Sequence, residues 1–321
     1  MSDLSVLFMT HPYPNYVPDL LLHGLRKLLG PALVDYPRKE SLYRGELMGV
    51  TPDNQLCPNW FPPDDGMIDR DDMPAKISRG YFRYIICDAR AAGFLQRGDT
   101  QLPPGMVVVD GEDFPMKIPP GPYAICRRET DGSDFSIPLP MALPEEILRW
   151  IQSYDSMPKA YSVGFLGSFS EFCEERKDIA HEIARRYPDS LLRTTTVPSG
   201  EDPNPEGRFG RNDYYMNLQK CRVVLNLRGA GADTFRFWEN AACNAVHLSQ
   251  RMSLYIPDDF VEGRHILRFS TSDELYRAVD AVLENTMDTD RMIREGREHL
   301  AKFHTTTARA RYLLDRLENV F

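Results

Sequence analysis

The stretch Val223–Val246, VVLNLRGAGADTFRFWENAACNAV, gathers two arginines, two glycines and a carboxylate at one strand-to-helix junction. Val223, Val224, Leu225 and Leu227 form an apolar run that reads as a buried strand. A loop with Arg228, Gly229 and Gly231 follows. The next residues are helix-like, and Arg236 and Glu239, three positions apart, share a face. Such a set suits a phosphorylated ligand that also carries hydroxyls. Glycines let backbone N–H groups approach phosphate, and a helix N-terminus adds positive potential. Arginines pair with phosphate oxygens in bidentate fashion. The carboxylate of Glu239 can accept from two adjacent hydroxyls, as a ribose presents. Phe235, Phe237 and Trp238 read as core.

Upstream, Gly164-Phe165-Leu166-Gly167 closes another strand, and Arg176 lies in the helix after it. Gly167 permits close approach of a ligand. With Arg228 and Arg236, Arg176 would complete a cationic cradle for a phosphorylated ligand that does the work of a metal. The acidic run Asp69–Asp72 lies in an irregular, proline-rich stretch, and no His/Cys/Asp cluster has zinc spacing, so no metal is expected. There is neither a G-x-x-x-x-G-K-[ST] loop nor a G-x-S-x-G elbow.

A general base could come from the first half of the chain. Asp19 and His23 stand four apart on one helical face, where a carboxylate could orient a histidine; a surface Asp–His pair is the alternative. Asp88 and Asp110 close strands, and Glu112 and Asp113 follow Asp110, so each could deprotonate a hydroxyl. Asp110–Asp113 equally reads as a tight turn with solvated charges. His11 follows the first strand.

The order Arg228, Thr234, Phe235, Arg236, Phe237, Trp238, Glu239 resembles the donor-binding region of exostosin-like glycosyltransferases and, more broadly, of the family 1-like donor domain of GT-B enzymes. In those enzymes an arginine after a strand precedes a Ser/Thr-Phe-Arg-Phe-Trp-Glu run. The strand, Gly167 and downstream Arg176 also have counterparts there. Asp19–Gly30, Val34–Pro37 and Arg127-Arg128-Glu129 resemble segments of bacterial glycosyltransferase-like proteins. The resemblance implies a nucleotide-sugar donor, most simply uridine-linked. Glu239 would hold the ribose and Arg176, Arg228 and Arg236 the diphosphate, with Gly167, Gly229, Gly231 and Thr234 lining the site. Many GT-B enzymes have an acidic residue eight positions before that glutamate; here Gly231 stands there. The chain departs from the paired-carboxylate form of retaining enzymes, and inversion is the preferred outcome. The acceptor would be a hydroxyl on a glycan, a small molecule or a modified nucleic acid. Two other readings stand beside this one: a catalytically inactive nucleotide-binding or scaffold protein of the same fold, and an enzyme that glycosylates modified DNA bases.

The elements needed to position these residues are legible along the chain. Short apolar strands at Ser5–Met9, Ala32–Asp35, Tyr84–Cys87, Met106–Val109 and Tyr123–Cys126 alternate with helical stretches such as Pro18–Leu29, which argues for a parallel sheet covered on both faces. The same grammar restarts after a proline-rich boundary at Ile137–Lys159, with strands at Tyr161–Leu166, Leu191–Thr194, Val223–Leu227, Ala245–Leu248 and His265–Phe269. Helices are expected at Glu145–Tyr154, Cys173–Arg186, Asp213–Gln219 and Ser272–Asn285, the last capped by Ser272, with two more to the end. The expected fold is α/β: two tandem Rossmann-like domains of GT-B type, residues 1–145 for the acceptor and 155–321 for the donor, with a cleft between them and C-terminal helices. Tyr43–Ser78 breaks the pattern as a surface excursion or an acceptor flap.

At 321 residues the chain suits two cores. A net charge of −9 gives no global nucleic-acid footprint, although a local basic groove stays possible. No apolar stretch is long enough to span a membrane, and the N-terminus lacks signal-peptide features. The six cysteines form no C-x-x-C pair and read as buried free thiols. A cytoplasmic location is expected.

Overall fold

A computed structural model describes residues 4–43, 61, 66–93, 95, 102–169, 174–196 and 209–321. The chain divides into two compact units: 1–144 with 254–257 and 305–321, and 145–253 with 258–304. The expected division at 145/155 counted the final helix with the second domain, whereas residues 305–321 cluster with the first unit.

Unit 1 begins with β1 (Val6–Met9), α1 (Tyr16–Leu29) and β2 (Leu33–Tyr36). It continues with α2 (Met73–Ser78), β3 (Tyr84–Asp88), β4 (Met106–Asp110), β5 (Ala124–Arg127) and β6 (Ile137–Pro138). All these strands are parallel, in the order β2-β1-β3-β4-β5-β6. β3 and β4 are buried along their whole length, as strands covered on both faces must be. The end of the expected excursion is therefore helical at Met73–Ser78, while Asp53, Asp64, Asp65 and most of that segment lie outside the described residues.

Unit 2 runs α3 (Glu145–Gln152), β7 (Tyr161–Phe169), α4 (Glu174–Arg186), β8 (Leu191–Thr196), α5 (Arg211–Gln219), β9 (Cys221–Asn226), α6 (Phe235–Ala242), β10 (Val246–Gln250), β11 (Leu267–Phe269), α7 (Ser272–Leu283) and α8 (Thr289–Phe303). Its sheet is also parallel, ordered β11-β10-β9-β7-β8. Its core joins Val163, Phe165, Val223, Leu225, Val246 and Leu248 to the apolar stripe of α7. Ser272 is not the cap of α7: Thr271 is, accepting from Glu274 N–H. The last helix, α9 (Thr306–Glu318), packs on α1 in unit 1. Gly24 permits that crossing, because a Cβ there would lie 2.0 Å from the Thr306 carbonyl oxygen.

Both sheets share one topology. The chain starts on an interior strand, adds a neighbour on one side, then reverses to the other. The reversal falls between β1 and β3 in unit 1 and between β7 and β9 in unit 2. Parallel sheets bind ligands beyond the carboxyl ends of their strands at such a switch point. Cys87, Cys126, Cys221 and Cys243 are buried free thiols; Cys57 and Cys173 lie outside the described residues. No helix among the described residues is long and apolar enough to cross a membrane.

Candidate functional site

In unit 2, Arg236 occupies the first turn of α6 and lies across the end of β7. Its Nε donates to the Leu166 carbonyl at 2.7 Å, and its guanidinium carbon sits 4.8 Å from the centroid of the Phe165 ring. A Cβ at Gly167 would come 2.4 Å from Arg236 Nη2, so only glycine leaves the guanidinium that place. Stacking and one fixed hydrogen bond orient the planar cation before any ligand arrives.

Thr234 caps α6 by accepting from Phe237 N–H, and its hydroxyl donates to Asn226 Oδ1 at 2.6 Å. Asn226 closes β9 and donates to Ser249 Oγ of β10. The helix N-terminus, with its positive end, is thereby tied to the sheet at the switch point. In the preceding loop Gly229 N–H donates to the Gly231 carbonyl. The Arg228 N–H donates to Gln250 Oε1, while the Arg228 side chain is exposed.

Arg176, a cradle candidate from the sequence, is engaged with backbone. It is 7% exposed, and its Nε and one Nη donate to the carbonyls of Arg228 (2.5 Å) and Leu227 (3.0 Å). These bonds clamp the loop that presents Arg228. Phe237 and Trp238 are core, as expected, with Trp238 Nε1 donating to Asp233 Oδ1, whereas Phe235 is only partly buried.

Glu239, one turn after Arg236, is 8% exposed. Its two oxygens accept from the hydroxyls of Tyr214 (2.9 Å) and Tyr215 (3.0 Å) on α5. Burial raises its pKa; the two tyrosine hydrogen bonds and the charges of Arg236 and Arg211 pull the other way. The tyrosines escaped notice in the sequence. The signal available was two adjacent aromatic hydroxyls on the helix before the donor strand.

In unit 1, charged groups collect beyond β1, β3 and β4. Asp19, 2% exposed, pairs with Lys39 Nζ at 2.9 Å and accepts from Asn15 N–H. The Lys39 ammonium also donates to the carbonyls of His11 and Tyr13, which uses its three protons. Desolvation raises the Asp19 pKa to about 6, against the pull of Lys39. The proposed Asp19–His23 couple does not form. His23 Nδ1 is 2.9 Å from Thr306 Oγ1 and its ring stacks on Phe61, while the hydrogen bonds of Asp19 go to Asn15 and Lys39. Sharing a helical face brought the two residues near, but each found a stronger partner off the helix.

Asp110 closes β4 and accepts from the N–H groups of Glu112 (3.3 Å) and Met116 (2.7 Å) in a turn, but its carboxylate is buried, not solvated as the alternative expected. Burial raises its pKa despite these bonds. Asp88 pairs with Arg90, Glu112 accepts from Asn15 Nδ2, and Asp113 pairs with Arg128.

Residues 172–315 match the family described as glycosyl transferase-like. The fold is that of several solved GT-B proteins. The Anabaena protein HepE, solved in complex with UDP and glucose, is 12% identical at a TM-score of 0.56, covering 98% of this chain and 100% of its own. A glycosyltransferase from Rickettsia africae is 8% identical at 0.56, covering 100% and 99%. Sucrose-phosphate synthase from Thermosynechococcus elongatus is 11% identical at 0.52, covering 99% of each. No curated protein sequence matches the chain.

Proposed function

We propose that this chain, which carries a glycosyltransferase domain of family 1-like type on a GT-B fold, moves a sugar from a UDP-linked donor to an acceptor hydroxyl, without a metal and with inversion. The observation that carries the donor site is Arg236, stacked on Phe165 and seated over Gly167 at the β7/β9 switch point. Arg236 and the exposed Arg228 would take the diphosphate at the N-terminus of α6. As the bond to the anomeric carbon breaks, negative charge grows on the leaving diphosphate. Two positioned guanidinium groups stabilise that charge where a divalent ion would otherwise serve. Glu239 takes the ribose hydroxyls, and Arg176 holds the loop in register.

The acceptor would lie against unit 1. A base there removes the hydroxyl proton as oxygen attacks the anomeric carbon from the face opposite the diphosphate. Asp19 is the preferred base over Asp110 and His23. Its pKa of about 6 suits proton abstraction near neutrality; its oxygens, like those of Asp110, already hold partners, so the acceptor hydroxyl must displace the Asn15 N–H.

Thermal stability of the protein against a panel of nucleotide sugars and nucleoside diphosphates tests the donor site. Ligand at ~100 times its dissociation constant adds roughly 2.7 kcal/mol. A shift with uridine nucleotides, lost in Glu239→Ala, is expected. Absence of any shift in folded protein would overturn the reading. A shift without turnover on any glycan, small-molecule or modified-DNA acceptor would favour a binding protein.

A further inference from the structure

The two tyrosines on Glu239 lie outside every residue so far given a role at the site. Tyr214 and Tyr215 are neighbours in α5, and each sends its hydroxyl to a different oxygen of one carboxylate, at 2.9 and 3.0 Å. Their rings meet edge to face, 5.4 Å between centroids, and Tyr215 packs in the same way against Trp150. Tyr215 is 1% exposed. The two phenols are thus held by packing rather than drawn in by the carboxylate.

An ionised carboxylate only accepts, with about two lone pairs on each oxygen. One tyrosine on each oxygen leaves each with one open acceptor position, and fixes the plane in which both point. Two open positions on one rigid carboxylate match two adjacent hydroxyls. They match a lone hydroxyl poorly, because the second oxygen then stays buried without a second donor.

We propose that Tyr214 and Tyr215 are positioning residues that lock Glu239 into a two-hydroxyl acceptor, so that the site selects ribonucleotides over 2′-deoxyribonucleotides. The inference rests on the donor-site reading above. The tyrosines themselves touch no ligand. They act through Glu239, and removing them frees the carboxylate to rotate, so that it no longer favours a pair of hydroxyls over one.

The test is titration calorimetry of UDP and 2′-deoxy-UDP with wild type, Tyr214→Phe, Tyr215→Phe and the double variant, with the melting temperature of each unliganded protein as the control for folding. Wild type is expected to bind UDP at least tenfold more tightly than 2′-deoxy-UDP. Each single variant is expected to lose about tenfold in UDP affinity, the scale of one hydrogen bond to a charged group. In the double variant the ratio between the two nucleotides should fall toward one. A uniform loss for both nucleotides, with the ratio kept, would mean only general packing and would overturn the inference. So would unchanged or tighter UDP binding in the variants. Wild type that binds no uridine diphosphate at all would overturn the donor-site reading and this inference together. If a single variant melts far below wild type, the ratio measured in the other decides.

Discussion

Arg236 shows how much of a site can hang on a neighbour that lacks a side chain. Its guanidinium occupies the space a Cβ at Gly167 would take. Gly167→Ala is therefore expected to push the flexible end of Arg236 aside, leaving the melting temperature within ~2 °C while UDP affinity falls about tenfold or more, the worth of a charge-assisted contact; calorimetry checks it, and unchanged affinity would remove Arg236 from the diphosphate. Asp19 carries a second expectation. With its pKa raised to about 6, the proposed base must lose its proton to work, so kcat/KM should fall about tenfold for each pH unit below ~6. Its effect on stability has the opposite sign. The folded state holds this proton at a pH where the unfolded chain has released it, so between about 4 and 6 Asp19 favours folding more as pH falls. A rate that drops while the melting temperature holds would separate protonation of the base from acid unfolding. A rate flat to pH 5 would exclude Asp19. At this scale Arg228, Arg236 and Glu239 could be nominated together because they sit in one contiguous segment; the partners Lys39, Thr306 and Tyr214 stand 20, 283 and 25 positions from Asp19, His23 and Glu239 and leave no local trace.

Among the elements, α6 and α1 carry one lesson. The helical character of α6 was read from the spacing of Arg236 and Glu239, but its start was not: Thr234 accepts from the first-turn N–H of Phe237, and its second bond, to Asn226, ties the helix to β9. In α1 the apolar stripe announced a helix, yet the role of Gly24 appears only when α9 is laid against it. A Cβ at Gly24 meets the Thr306 backbone oxygen at 2.0 Å. Backbone cannot swing away as a side chain can, so Gly24→Ala must separate the helices. A loss of about 1–3 kcal/mol, the usual scale of overpacking, is expected, read as a lower midpoint in denaturant. A neutral outcome would show that α1 and α9 do not meet there.

For the molecule as a whole, the two units repeat one winding, with the first reversal of strand order at the second and third strands of each sheet. That repetition gives each unit a switch point, where parallel sheets can bind ligands, and makes a proposed division of labour testable. Hydrogen exchange with saturating UDP is expected to slow in peptides covering 161–169 and 223–242, with much smaller change in β1–β4. Equal protection in both units, or protection confined to unit 1, would contradict a donor site at the β7/β9 switch point. The net charge of −9 adds nothing to that choice, because the proposed cradle is local and its arginines are a small part of the total.

The sequence by itself determined the alternation of strands and helices, the parallel sheets and the order of groups from Val223 to Val246, since periodicity and the contiguous order of chemical groups survive in one dimension. Tertiary structure alone decided who pairs with whom. It turned Asp19 to Lys39 and His23 to Thr306, set Arg176 on the carbonyls of the Arg228 loop, brought Tyr214 and Tyr215 to Glu239, and assigned the last helix to the first unit. Periodicity states which face of an element a residue occupies. Packing of elements far apart in the chain supplies the partner, and with it the charge state and direction of each group that does the chemistry.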